Sequence, residues 1–270
     1  MVETRSGRGV MLLIHGLWLR PGVWDLWLEE LDEAGYDVAV LSWSNGNGSG
    51  PPAIAASFGQ LLRIAKERIG ALEPRPIVIG HGVGGVVAER LLNDGDAAAA
   101  ISLAPVPGGR AAIPTVARLL HGNSRLGLLS LRNSAVMPTF TQFRRTIATV
   151  GSNSDAQRFY EKYVAADKPR DVLLHASRRR ATVRNGQPHR GPLLLATGGK
   201  DQLIAEASIA LLHRKYRRHR PDAITDYEVF PELDHTLAMG TQARVVLFYC
   251  LDWLTAHNML AISSGDGHAA

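Results

Sequence analysis

Short apolar runs alternate with longer amphipathic stretches along most of the chain. Six of these runs have the length and the largely apolar interiors of strands covered on both faces, and they lie near residues 9–14, 37–42, 75–80, 98–104, 192–197 and 225–230. Helical stretches lie between them, near 24–34, 53–70, 83–93, 202–219 and 241–257. This alternation predicts an α/β fold, in which a mostly parallel central sheet carries helices on both faces.

The alternation breaks between residues 110 and 185, where helical stretches follow one another without a clear strand. We therefore predict a core in two parts, residues 9–109 and 186–257, interrupted by a helical insertion at 110–185. The remaining residues, 258–270, are predicted to form a disordered tail.

A glycine-rich turn follows the third predicted strand, where residues 77–85 read Ile-Val-Ile-Gly-His-Gly-Val-Gly-Gly. The pattern G-x-S-x-G, typical of a nucleophile on a strand–turn–helix elbow, needs a serine where this chain has Gly82. The spacing of Gly80, Gly82 and Gly85 also matches the G-x-G-x-x-G of dinucleotide-binding folds. That pattern follows a first strand and needs an acid about 20 residues later, where residues 97–100 are alanines, so we favour the hydrolase interpretation.

Three further loops carry candidate functional residues directly after predicted strands. His15-Gly16-Leu17-Trp18 follows the first strand, and a glycine there lets the backbone approach a substrate and donate an N–H to an oxyanion. Asp201 and His235 follow the last two strands. Because the carboxyl ends of parallel strands share one edge of a sheet, we expect these loops to meet there. The order turn residue, acid, histidine matches the order of the triad in α/β-hydrolases.

With these motifs the chain resembles the α/β-hydrolase superfamily, in particular its small esterase, lipase and haloperoxidase-like members, over about residues 9–257. The resemblance implies that Gly82 occupies the nucleophile position, Asp201 the acid position and His235 the base position. Gly82 alone departs from the pattern, and this departure affects covalent acyl-enzyme chemistry without affecting the fold assignment.

The resemblance also implies what surrounds these residues. An oxyanion hole would be formed by the backbone of Gly16 or Leu17 together with Val83, and residues 110–185 would form a helical cap over the active site. Neither a metal ion nor an organic cofactor is implied. We expect aromatic and polar side chains near the hole and in the cap to bind the substrate, and the candidates are Trp18, His81, Phe140, Phe143 and Tyr160.

The glycine at position 82 leaves three hypotheses for function. In the first, which we favour, a dyad of His235 and Asp201 acts as general base on a small apolar carbonyl, ester or lactone compound, by non-covalent hydrolysis, elimination, isomerisation or cyclisation. In the second, the protein is a serine ester or thioester hydrolase that carries a nucleophile-to-glycine mutation. In the third, it is a non-catalytic pseudohydrolase that binds a ligand.

Composition limits the class of protein. A chain of 270 residues that is 46% hydrophobic can bury one large core. Its single cysteine, Cys250, lies in an apolar helical stretch and is predicted to be a buried structural thiol. The polar residues 1–8 and the lack of an apolar stretch of about 18 residues predict a soluble, cytoplasmic protein with no membrane contact.

The net charge of +5 raises the question of a nucleic-acid partner. The positive residues concentrate in two local clusters, at 178–180 and 214–220, with little aromatic interleaving. We therefore predict no nucleic-acid partner and expect a small-molecule substrate or ligand. The sequence is also compatible with a homodimer.

Overall fold

A computed structural model describes residues 9–43, 57–108, 115, 137–167, 189–240 and 242–260 of the chain. Its six strands form one sheet in the order β2-β1-β3-β4-β5-β6, and every neighbouring pair is parallel. The strands are β1 (Val10–Ile14), β2 (Asp37–Leu41), β3 (Ile77–His81), β4 (Ala99–Leu103), β5 (Leu193–Gly198) and β6 (Thr225–Phe230). The predicted α/β fold class is confirmed.

Seven α-helices and one 3-10 helix, Pro21–Trp24, are present in the described part of the chain. The α-helices are α1 (Asp25–Glu33), α2 (Phe58–Ile69), α3 (Val83–Asp94), α4 (Phe140–Thr146), α5 (Asn153–Tyr163), α6 (Glu206–His219) and α7 (Ala243–Ala256). The helix predicted to begin at 202 begins at Glu206. The reason is that Asp201 Oδ1 accepts hydrogen bonds from the Leu203 and Ile204 N–H groups, at 2.8 Å each, and this holds the residues before the helix in a turn.

Two hydrophobic cores lie on the two faces of the sheet because successive strand residues point to opposite faces. In β1, Leu12 and Ile14 belong to the core that includes buried residues of α2, α3 and α6. Met11 and Leu13 belong to the other core, which includes buried residues of α1 and α7. The sheet is therefore the middle layer of three, as the apolar character of its strands predicts.

The close approach of α3 to the sheet requires glycine. A Cβ at Gly84 would lie 2.2 Å from the Ile14 carbonyl oxygen, and a Cβ at Gly80 would lie 2.1 Å from the Gly84 carbonyl oxygen. Because both positions are glycine, the N-terminal end of α3 can pack directly against the carboxyl ends of β1 and β3. Strand order changes direction between these two neighbouring strands, which is where ligands bind in open α/β sheets.

The segment predicted as a helical cap, 110–185, is described only in part. Helices α4 and α5 lie in it, and Val164 forms an antiparallel bridge with Leu19 in the loop after β1. The predicted domain boundaries stay predictions. Of the predicted disordered tail only residues 258–260 are described, and Leu260 is buried in one of the two cores.

Candidate active site

Gly82 forms the turn between β3 and α3. Its backbone angles, φ +57° and ψ −113°, lie where a residue with a side chain is strained and glycine is not. The Gly82 N–H donates to the Leu103 carbonyl at 2.9 Å, so the end of β4 holds the turn. A Cβ built on Gly82 would lie 3.7 Å from Gly16 Cα and 4.0 Å from His235 Nε2, both ordinary contact distances. A small side chain at this turn therefore has room, and it would meet the histidine.

Asp201 and His235 form the predicted pair. His235 Nδ1 lies 2.8 Å from Asp201 Oδ2, and both side chains are buried. Because an ionised carboxylate only accepts hydrogen bonds, Nδ1 carries the proton and the Nε2 lone pair faces the Gly82 turn. The other oxygen, Oδ1, is fixed by the N–H groups of Leu203 and Ile204. The dyad therefore has the geometry of a general base whose ring is held in one orientation.

His81 supports the main chain of His235. Its Nε2–H donates to the His235 carbonyl oxygen at 2.8 Å, and the two ring centroids are 4.6 Å apart. Burial, with smaller contributions from the charges of His235 and His15, lowers the pKa of His81 to about 3. The side chain is therefore neutral near pH 7, and it acts on the position of His235 as a hydrogen-bond donor.

His15 is a structural histidine in the loop after β1. Its Nδ1–H donates to the Gly16 carbonyl at 2.9 Å, and its ring stacks on Trp43 with centroids 5.2 Å apart. Burial lowers the pKa of His15 to about 4, so it is neutral near pH 7. The adjacent Gly16 leaves no room for a side chain, since a Cβ there would lie 2.8 Å from His81 Nδ1.

Two backbone N–H groups at the site are available to an oxyanion. Val83 is the first residue of α3, so its N–H has no acceptor within its own helix. Among the described residues the Leu17 N–H likewise has no acceptor. The next N–H, that of Trp18, is occupied, because it donates to Asp167 Oδ2 at 2.6 Å. Of the predicted oxyanion residues, Leu17 and Val83 thus have N–H groups without an acceptor among the described residues, and the oxyanion hole itself stays a prediction.

A cavity of about 30 Å³ lies where these groups meet. This volume is enough for about one water molecule beside the dyad. Its described lining residues are Gly16, Leu17, Trp18, His81, Gly82, Val83, Val106, Thr115, Ile147, Leu203, Ile204 and His235. A second cavity, of about 500 Å³, is lined by α5 and by the residues on both sides of His235, but not by His235 itself.

The predicted substrate-binding residues fall into two groups. Trp18 and His81 line the small cavity. Phe140, Phe143 and Tyr160 instead pack on one another in the helix pair α4–α5, with ring centroids 5.6–5.7 Å apart, and none is among the described lining residues of either cavity. Their contact with a substrate stays a prediction.

Most of the lining residues that sequence analysis missed lie outside helices and strands, the exception being Thr115. Val106, Thr115, Ile147, Leu203 and Ile204 have no motif that marks them. Apolar residues in a helical insertion fit a helix interior as well as they fit a cavity, so periodicity gave no signal for Ile147.

Three other candidate groups near the strand ends have their own partners, namely the hydroxyls of Ser102 and Thr236 and the carboxyl of Asp234. Ser102 donates to Glu89 at 2.8 Å, and the Thr236 hydroxyl donates to Asp234 at 2.6 Å. Asp234 also accepts from the Val150 N–H at 2.7 Å and makes no bond to the ring of His235. Cys250 is fully buried, as predicted, and burial raises the pKa of its thiol well above the ordinary value.

Comparison with known proteins gives one family. The sequence profile described as "Alpha/beta hydrolase family" matches residues 11–247. Similar solved structures include a methylesterase from Arabidopsis (17% identity, TM-score 0.64, 92% of this chain and 99% of that chain covered) and a monoacylglycerol lipase from Paleococcus ferrophilus (18%, 0.69, 93% and 96%). An extracellular α/β-hydrolase from a Paenibacillus species is also similar (18%, 0.64, 90% and 98%). At these identities the structures support the fold alone.

A search of curated protein sequences finds no match to the chain. No helix in the described residues has both the length and the apolar character needed to cross a membrane.

Proposed function

Because the chain belongs to the α/β-hydrolase family, we propose that it is an enzyme in which His235, oriented by Asp201, acts as a general base on a small apolar carbonyl compound. No acyl-enzyme forms in this mechanism, since Gly82 has no side chain to carry it. The observation that carries the proposal is the direction of His235. Its Nε2 faces the Gly82 turn across a cavity large enough for one water, while Asp201 fixes the other side of the ring.

Hydrolysis of an ester or lactone follows directly from this arrangement. His235 Nε2 accepts a proton from a water molecule as the water oxygen bonds to the carbonyl carbon, and the carbonyl π electrons move to the oxygen. In this proposal the N–H groups of Leu17 and Val83 donate to that oxyanion. When the intermediate collapses, the carbon–oxygen bond to the leaving group breaks, and the imidazolium returns its proton to the leaving alkoxide.

The same groups can also act on a C–H bond. If His235 removes a proton from the carbon next to a carbonyl, the electrons form an enolate whose oxygen accepts hydrogen bonds from the same two N–H groups. Elimination, isomerisation or cyclisation would then follow, depending on the substrate. Hydrolysis by water and proton abstraction from carbon therefore need the same dyad, and one variant tests both.

Replacement of the base tests the proposal. We expect His235→Ala to lower kcat about 10²–10⁴-fold on any ester, thioester or lactone that the protein turns over, because general-base catalysis contributes factors of this size. The matched control is His219→Ala, a histidine exposed at the end of α6. Pre-steady-state kinetics should show no burst of product. Mass spectrometry of the protein during turnover should show no acyl adduct. Unchanged turnover in His235→Ala would remove the proposal.

A serine hydrolase in which glycine replaces the nucleophile is the second candidate. The observation that favours it is the space at Gly82, where a Cβ would make only ordinary contacts and would lie 4.0 Å from His235 Nε2. We expect Gly82→Ser to react with a fluorophosphonate in a His235-dependent manner. If this variant also hydrolyses an ester more than about 100-fold faster than the uncatalysed reaction, and the unsubstituted chain does not, the second candidate replaces the first.

A further inference from the structure

The loop that carries the Leu17 N–H is held in an unusual conformation. Trp18, the next residue, has φ +62°, in the left-handed region that non-glycine residues rarely adopt. Its side chain is buried and lines the small cavity. A residue with a large side chain stays in this region only where the surrounding structure holds it there.

The segment after α5 supplies contacts to this loop. The Ala165 N–H donates to the Trp18 carbonyl at 2.9 Å, and the Arg20 N–H donates to the Tyr163 carbonyl at 2.8 Å. These two bonds form a short antiparallel pairing, which leaves the Trp18 N–H to be satisfied separately. Asp167 satisfies it, because Oδ2 accepts this N–H at 2.6 Å from a position 149 residues away in the sequence.

We propose that Asp167 is a positioning residue for the oxyanion hole. Its carboxylate occupies the Trp18 N–H and holds Trp18 in the left-handed conformation, and this keeps the preceding N–H, that of Leu17, directed at the cavity. The inference rests on the proposed function, since it assigns a role to a residue that acts through the oxyanion loop.

The burial of Asp167 argues against a purely structural role. The residue is only 5% exposed, and one backbone N–H is the donor found for its carboxylate among the described residues. Burial raises the pKa of Asp167 to about 7, against the opposite effect of the Trp18 hydrogen bond. A carboxylate buried with so few donors is unfavourable for folding, whereas a neutral side chain could fill the same space. The charge-assisted bond to Trp18 is what the carboxylate adds.

The test measures oxyanion-hole function separately from natural turnover. In a Gly82→Ser parent, we compare the rate of fluorophosphonate labelling in Asp167→Ala, Asp167→Asn and the exposed control Asp222→Asn. Loss of one oxyanion donor lowers rates about 10²–10³-fold. We expect a loss approaching 100-fold for Asp167→Ala, a smaller loss for Asp167→Asn, whose amide oxygen still accepts, and none for the control.

Hydrogen–deuterium exchange in the natural Gly82 chain gives the second readout. Asp167→Ala should speed exchange of the Trp18 amide at least tenfold and leave the amides of Leu203 and Ile204 unchanged. A role in overall folding would instead speed exchange at both places.

The outcomes separate this inference from the proposed function. Labelling of Gly82→Ser that depends on Asp167 supports the inference even if the natural chain has no turnover. Labelling that is unaffected in a folded Asp167→Ala protein, or unchanged exchange at Trp18, overturns it while the His235 mechanism stands. If the Gly82→Ser parent is not labelled at all, exchange of the Trp18 amide decides, and unchanged exchange there overturns the inference.

Discussion

Two buried carboxylates, Asp201 and Asp167, each bind a residue that lines the small cavity, and the protein satisfies them very differently. Asp201, 8% exposed, accepts hydrogen bonds from two nearby backbone N–H groups and from the ring of His235. Among the described residues, Asp167, 5% exposed, accepts one hydrogen bond, from the Trp18 N–H. The first carboxylate is held by its own turn and orients a side chain. The second holds a distant piece of main chain.

This difference separates two ways in which a buried charge can serve a site. The donors around Asp201 compensate for its loss of water, so its replacement should mainly affect the chemistry of His235. Asp167 has only one such donor among the described residues, and burial raises its pKa to about 7. Replacement of Asp167 should therefore improve stability while it weakens the oxyanion hole. Substitution should therefore mainly affect the chemistry of His235 at position 201, and both the stability of the fold and the oxyanion loop at position 167.

The largest expected effect is on turnover in Asp201→Asn. An amide NH₂ opposite His235 Nδ1 favours the tautomer that protonates Nε2, and this removes the lone pair that accepts the proton. A comparable substitution in a Ser-His-Asp triad lowers kcat about 10⁴-fold, and we expect a loss of about 10³–10⁴ here, measured as kcat on the substrate identified for the natural chain. Asp222→Asn is the control. A loss of less than tenfold would mean that Asp201 does not set the tautomer.

The next effect is a gain in stability in Asp167→Asn that depends on pH. The pKa of Asp167 rises from 3.8 in the unfolded chain to about 7 in the folded one, so between these values the folded state binds more protons. Stability of the natural chain therefore falls as pH rises through this window, and the penalty is complete above pH 7. The amide of the variant cannot ionise, so Asp167→Asn should gain up to about 4 kcal/mol at pH 8.

Urea denaturation at pH 8 and pH 4.5 measures this gain. At the lower pH the difference from the natural chain should fall to about 1 kcal/mol, because pH 4.5 lies well below the folded pKa of about 7 and less than one unit above the unfolded value of 3.8. Lower stability of Asp167→Asn at pH 8 would show that the single bond to Trp18 outweighs the cost of burial, and the contrast with Asp201 would fail.

Much of the fold could be predicted from the sequence because its signals are local. The apolar runs of β1 and β3 and the glycines of the turn between β3 and α3 each predict an element without reference to distant residues. Asp201 and His235 could be placed as well, since each directly follows a buried strand and parallel strands end at one edge. The start of α6 was predicted too early because the Asp201 side chain competes with the helix for the N–H groups of Leu203 and Ile204.

The part of the site built by long-range pairing could not be predicted. Asp167 follows an apolar stretch in the helical insertion, and nothing in its neighbours indicates that its carboxylate reaches Trp18. The aromatic residues Phe140, Phe143 and Tyr160 have a composition suitable for a pocket, but it equally suits the packing of α4 against α5, which is where the structure places them. An apolar composition predicts that these side chains are buried, but it does not predict whether they point into a pocket or into a helix interface.

The smallest expected effect is at Gly82, which lies between the loop of Gly16 and the side chain of His235. A Cβ there would contact Gly16, on the side that Asp167 holds, and His235, on the side that Asp201 holds. Because φ is +57°, we expect Gly82→Ala to lower the free energy of unfolding by about 1–3 kcal/mol. Gly82→Ser should be about 1 kcal/mol more stable than Gly82→Ala, since the serine hydroxyl can donate a hydrogen bond to His235 Nε2.

Combination of variants assigns that difference to one side of the site. The advantage of serine over alanine at position 82 should disappear in a His235→Ala background, because the acceptor is gone. It should persist in Asp167→Asn, which leaves the Asp201–His235 pair intact. Urea denaturation of both Gly82 variants in the natural, His235→Ala and Asp167→Asn backgrounds, with each background as reference, gives both comparisons at one pH. A clear rise in stability for either Gly82 variant would show that the turn is not strained, and an advantage that depended on Asp167 would show that the two carboxylates are coupled through the turn rather than independent.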